Sequence, residues 1–107
     1  MAVFEILTFE VKPGRLEDFL ADVRELRAVL ERVDVGFIGM RAVRFMVAGP
    51  DSGRVALLFE NTDLASWGQS LDNEGHDPED QAVSARWAGP ESPVTLVNRM
   101  LWQELPL

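Results

Sequence analysis

Residues 54–77 read RVALLFENTDLASWGQSLDNEGHD, a short continuous apolar run followed by a polar corner and then by helical spacing. The run Arg54–Glu60 predicts a buried strand, because it is apolar, brief and followed at once by turn chemistry. Asn61, Thr62 and Asp63 then start a helix. Thr62 or Asp63 can accept a hydrogen bond from a first-turn amide that has no partner inside the helix, and Leu64, Trp67, Gly68 and Leu71 share one face.

Upstream, Gly49-Pro50-Asp51-Ser52-Gly53 is a polar turn, and Phe37–Ala48 (FIGMRAVRFMVA) has strand character, rich in β-branched and large apolar residues. A turn this short joins antiparallel strands and cannot hold a parallel crossover. Arg41 and Arg44 differ by an odd number, so a regular strand points them to opposite faces. Leu16, Phe19, Leu20, Val23, Leu26, Leu30 and Val33 fall at helical spacing between charges of both signs, an amphipathic helix with a solvated outer face. Before it, Val3–Val11 (VFEILTFEV) carries apolar residues on both parities and reads as a strand covered on both faces.

Downstream, Asp77 can cap a second helix start, with Pro78 at the first helical position and Glu79 and Asp80 complementing the dipole. That helix should reach about Ala88, where Gly89 and Pro90 stop it. Ser92–Glu104 reads as a long last strand, with Pro93 tolerated at its start. The sequences AGPDS at Ala48 and AGPES at Ala88 follow a strand and a helix respectively, so they are recurring turn chemistry and not a repeat.

The order strand, helix, strand, strand, broken helix, strand is the α+β, ferredoxin-like βαββαβ pattern, with the first and third strands central. A chain of 107 residues with 47% hydrophobic content suits one domain, residues 1–107. Helices cover one face of such a sheet, yet all four strands carry apolar residues on both parities. A face-to-face homodimer is the simplest cover for the second face.

Eighteen acidic against ten basic residues give a formal charge of -8, which disfavours nucleic acid and anionic membrane surfaces as partners. The first residues carry no basic leader or cleavage signal, no run reaches membrane-spanning length, and cysteine is absent, so the expected location is the cytoplasm. Metal is not expected. One histidine and no cysteine cannot build an ordinary zinc site, and an EF-hand alignment through Gly75 puts Gln81 where a bidentate Glu is needed. No phosphate-binding or dinucleotide motif occurs, and no serine is placed for activation by His76.

The segments FEILTFEVKPGRLEDFLADVRE, AGPDSGRVALLFE, DLASWGQSLD and PVTLVNRMLWQEL together resemble the dimeric α/β-barrel superfamily, in particular its small antibiotic-biosynthesis-monooxygenase-like and NIPSNAP-like proteins. The resemblance implies a pocket in each subunit, between sheet and helices, where members hold polycyclic aromatic substrates, haem or other hydrophobic small molecules. In haem-degrading and quinone-forming relatives a Trp of the second helix shapes the pocket and a His follows it. Trp67 and His76 match that arrangement and are the candidate catalytic residues; Thr8, Arg41, Phe59, Asn61 and Trp67 are the candidate substrate-binding residues. The first strand offers Glu5, Thr8 and Glu10 where the haem-degrading set has Asn, and no cofactor is expected.

Bland readings stand beside these. Trp67 lies on an apolar stripe and reads equally as core, His76 sits in a polar loop where exposure is the default, and Arg41 suits a rim position paired with a carboxylate. Three functions follow. The first is a cofactor-independent monooxygenase acting on an electron-rich aromatic whose own carbanion reacts with oxygen. The second is a non-catalytic ligand-binding or assembly protein of the same fold, and the third a polyketide cyclase or isomerase working by acid–base chemistry.

Overall fold

In the computed structural model, which describes residues 1–107, β1 (Val3–Val11) leads into α1 (Leu16–Val33), β2 (Phe37–Arg44), β3 (Val55–Asn61), α2 (Leu64–Gly75), α3 (Pro78–Ala88) and β4 (Val94–Gln103). The four strands form one antiparallel sheet in the order β2-β3-β1-β4, so the first and third are central as the pattern requires. This is the ferredoxin-like arrangement.

Directly paired residues share a face. Phe9, Val55, Leu57, Phe59, Met40 and Val94 point to the helices, where they pack against Phe19, Val23, Leu26 and Leu30 of α1. Each fully buried Leu or Phe contributes about 1.5–3 kcal/mol of transfer free energy. Trp87 of α3 completes this layer. Its ring lies 5.4 Å from Phe9 and 5.2 Å from Phe19, which are 5.1 Å apart, and its Nε1 donates to Asp22 Oδ2 at 2.9 Å. The triangle therefore ties α3, α1 and β1 together through edge-to-face and tilted contacts.

Caps follow the sequence. Asp63 accepts from the Ser66 amide at 2.7 Å, and Asp77 from the amides of Glu79 and Asp80 at 2.9 and 3.1 Å. Arg32 near the end of α1 donates to Asp77 Oδ2 at 2.7 Å and holds that carboxyl below its usual range.

Two local expectations change. β2 ends at Arg44 and not at Ala48, and Met46 and Val47 are exposed. The turn wins here because Ser52 Oγ accepts from the Ala48 amide at 2.9 Å and Gly49–Asp51 winds into a short 3₁₀ turn, local bonds that compete with the ladder. α2 extends to Gly75, and its inward stripe is Trp67, Ser70, Leu71 and Glu74, spaced i, i+3, i+4, i+7; Leu64 is exposed.

The other sheet face has no helix on it. Phe4 and Ile6 of β1, Leu58 of β3, Val43 of β2 and Met100 and Trp102 of β4 share it, with Ile38 beside them. Trp102 and Ile38 are each 53% exposed. No helix of the chain is long and apolar enough to cross a membrane.

The α1–β2 turn depends on Gly36, whose φ of +65° belongs to the left-handed region and whose missing side chain makes room for Thr62 and Ser66. Gly36→Ala should cost about 1–3 kcal/mol from strain alone and more from the clash, read as a lower denaturant midpoint. Gly53→Ala, at φ +85° in open space, should lose less. Equal losses would mean that the contact with Thr62 and Ser66 is unimportant.

Candidate functional site

The turn that Gly36 permits is clamped to α2 by polar side chains. Ser70 Oγ accepts from the Val35 amide at 3.0 Å and donates to the Val35 carbonyl at 3.1 Å. Asn61 Nδ2 donates to the same carbonyl at 3.3 Å, and Asn73 Nδ2 to that of Val33 at 2.8 Å. Between these anchors Asp34 turns inward, towards Glu74 one turn beyond Ser70.

Both carboxyls line a cleft of about 270 Å³ between the helix-facing side of the sheet and the helices. Its apolar walls include Leu7, Leu26, Phe59, Leu71, Trp67 and Trp87, and its charged groups are Glu5, Asp34, Glu74, Asp80 and Arg99. A wider groove of about 510 Å³ between α1 and α3 is a surface feature where Arg15 already pairs with Asp18 and Arg86 with Asp22.

Burial pushes the Glu74 carboxyl up to about 9, and the neighbouring Asp34 carboxylate adds to the shift. Burial also raises Asp34, opposed by a hydrogen bond from Glu74. At neutral pH the pair therefore holds one proton between its two carboxyls. Asp80 is raised as well, chiefly by burial, with Ser84 Oγ donating to it at 3.4 Å.

Arg99 reaches the cleft through an irregularity. Between the pairs Thr8–Asn98 and Phe9–Leu96 the β1–β4 register shifts, and Val97 is the extra residue. The bulge reverses the parity of the rest of β4, so Arg99 faces the helices and Asn98, Met100 and Trp102 the open side. Arg99 Nη2 lies 2.6 Å from Glu5 Oε2, and its guanidinium stands 5.9 Å from the Trp67 ring centroid, a cation–π distance.

Asp34 Oδ1 and Trp67 Nε1 are buried side-chain polar atoms without a hydrogen-bond partner, and both residues line this cleft. Trp67 Nε1–H is left as a donor without an acceptor, which costs about 1–3 kcal/mol.

The structure brings Trp67, Phe59 and Asn61 together at the cleft, although the Asn61 amide is engaged in the clamp. Thr8 and Arg41 lie on the opposite sheet face. His76 caps the end of α2, exposed, with Nδ1 2.8 Å from the Asp72 carbonyl, so Trp67 and His76 do not share the cleft. Sequence reasoning did not select Asp34, Glu74, Asp80, Arg99 or Trp87. Glu74 was findable as the residue seven beyond Trp67 on the helix. No group of three or more His, Cys, Asp or Glu is arranged to hold a metal ion.

No protein-family model and no curated protein sequence matches the chain. Its fold is nonetheless that of known proteins. It is similar to SnoaB, a cofactor-independent oxygenase from Streptomyces nogalater, at 19% identity over 99% of this chain and 95% of that one, with a TM-score of 0.69. A NIPSNAP family protein from Agrobacterium tumefaciens superimposes with a TM-score of 0.72 at 14% identity, covering 97% and 86%. For a putative antibiotic biosynthesis monooxygenase from Chloroflexus aurantiacus the TM-score is 0.63 at 14% identity, covering 99% and 95%. The chain thus shares its fold with these proteins.

A carboxyl whose folded pKa is raised contributes stability below its unfolded value and loses it as pH rises towards the folded value. For Glu74 the window runs from 4.5 to about 9. Glu74→Gln, which keeps a donor for Asp34 without the titration, should therefore raise the melting temperature at pH 8.5 by a few degrees and have little effect at pH 4.5. A variant with the same pH slope as the parent chain would refute the shared proton.

Proposed function

We propose that this protein binds a small aromatic or otherwise hydrophobic molecule in the cleft between sheet and helices, and that it does so as a homodimer in the cytoplasm. The observation that carries the binding reading is the cleft itself, where a Trp67 indole N–H without an acceptor and a proton-sharing carboxyl pair stand among apolar walls. Buried polar groups are otherwise nearly always paired, so such a concentration is characteristic of a binding site. The uncovered apolar sheet face supports the dimer, and Thr8 and Arg41 belong to that face and not to the ligand wall.

Cofactor-independent oxygenation, the activity of SnoaB, is the enzymatic form of this reading. It asks the cleft to stabilise a substrate carbanion. Arg99 is the one cation there, and Glu5 already holds it at 2.6 Å. The surrounding carboxyls oppose a second anion, so ligand binding is the reading that the geometry supports best.

Light scattering should give the mass of a dimer at micromolar concentration, and Leu58→Asp, which places a charge in the open apolar face, should give a monomer. A monomeric parent chain would overturn the dimer. Small neutral aromatics should quench tryptophan fluorescence, and Trp67→Ala should weaken their binding about tenfold, ~1.4 kcal/mol. Unchanged affinity would move the ligand elsewhere. Oxygen uptake above buffer with hydroxyanthrone or hydroquinone substrates would establish the oxygenase form.

A further inference from the structure

The proposed cleft has a definite charge. Glu5, Asp34, Glu74 and Asp80 line it against Arg99 alone. Glu5 and Arg99 cancel across 2.6 Å. What is left on the helix side is Asp34, Glu74 and Asp80, carried by the end of α1, by α2 and by α3, with no cationic side chain among the residues lining the cleft near them. Arg32 is the basic residue in the last turn of α1, and it is spent on Asp77 and Glu79 at 2.7 and 3.9 Å.

We infer that the natural ligand of this cleft is a cation, a protonated amine joined to a small flat apolar body. The inference rests on the reading of the cleft as the ligand site and specifies what enters it. An ammonium has N–H donors and no acceptor, the complement of a wall made of carboxyl oxygens. In a partly buried cleft opposite charges attract far more strongly than in water, and a carboxylate ligand would meet a like-charged wall. Trp67 and Trp87 add aromatic surface. The Arg99 guanidinium, 5.9 Å from the Trp67 centroid, already makes a contact of this cation–π kind. Size limits the body. A cleft of about 270 Å³ is smaller than the ~300–1,000 Å³ of pockets for drug-sized ligands, which suits one ring or a compact pair. Docking the ammonium also displaces the shared proton, because a cation beside Glu74 favours its ionised form.

The test uses three probes of similar shape: 2-phenylethylamine, 2-phenylethanol and 3-phenylpropionate. Titrations of the full chain at pH 7 are followed by the indole N–H resonances of Trp67, Trp87 and Trp102, the last lying on the opposite sheet face as an internal control. The amine should shift Trp67 and Trp87 but leave Trp102 still, and should bind about tenfold more tightly than the alcohol. The propionate should bind weakest. In the double variant Asp34→Asn, Glu74→Gln the preference for the amine should vanish while the alcohol still binds, which also shows that the variant is folded. Alcohol or propionate binding as tightly as the amine at Trp67 and Trp87 would overturn the cation while leaving the cleft as a ligand site. No shift with any probe would overturn both readings. An amine preference that survives in the double variant would overturn the role of the carboxyls.

Discussion

Val35 is bonded at both its amide and its carbonyl to one hydroxyl, that of Ser70, and its carbonyl also accepts from Asn61. This exchange fixes the end of α1 against α2 and the end of β3, and Ser70 is 1% exposed where it happens. A buried hydroxyl or amide left without a partner costs about 1–3 kcal/mol, so the turn cannot move without exposing several such groups at once. Asp34 is the residue before Val35, and Glu74 is one helical turn beyond Ser70. The clamp therefore determines that two carboxyls meet, and their meeting determines the proton between them. Gly36 allows the whole arrangement, since any side chain there would press on Thr62 and Ser66.

The layout of strands and helices was legible because each element has its own period and its own punctuation. Pro13-Gly14, Gly36, Gly49-Pro50 and Gly89-Pro90 mark ends, and Asp63 and Asp77 mark starts. What failed locally failed for a stated cause. Phe45 to Ala48 looks like strand by propensity, yet Ser52 and the turn hold the chain in local hydrogen bonds. Leu64 looked like the start of the α2 stripe, whereas the helix turns its Trp67, Ser70, Leu71 and Glu74 line inward. A stripe containing a serine and a glutamate is invisible to a search for apolar periodicity.

The cleft was less legible than the fold because its members come from elements far apart in the chain, and two of them depend on geometry with no local signature. A regular β4 would aim Asn98 and Met100 at the helices; the extra residue at Val97 aims Arg99 there instead. Nothing in PVTLVNRMLWQ announces a bulge. Asp34 follows a helix of mixed surface charge and reads as one more solvated acid until the clamp turns it inward. Parity did work where the strand is regular: Arg41 and Arg44 lie on opposite faces as their spacing requires, which removes Arg41 from the cleft.

The two faces of the sheet divide the physical tasks. The open face carries no helix and is apolar over Phe4, Ile6, Leu58, Met100 and Trp102, with Arg41, Glu60, Glu10 and Asn98 among its polar residues. The helix-facing side holds a conventional core around Phe9, Phe19 and Leu57 and, beside it, a cleft that breaks the rules of a core. Replacing Asp34 and Glu74 by apolar residues of similar volume would remove a desolvation cost that a shared proton only partly offsets. Stability alone would not put them there. Where packing, hydrogen bonding and charge disagree at one place while agreeing elsewhere, the place is where ligands are expected. Here the disagreement has a sign. Acceptors outnumber donors, and carboxyls outnumber guanidinium. A ligand that offsets the excess of carboxyls must bring positive charge, N–H donors and an apolar body together, and the fold supplies a cleft of the corresponding size.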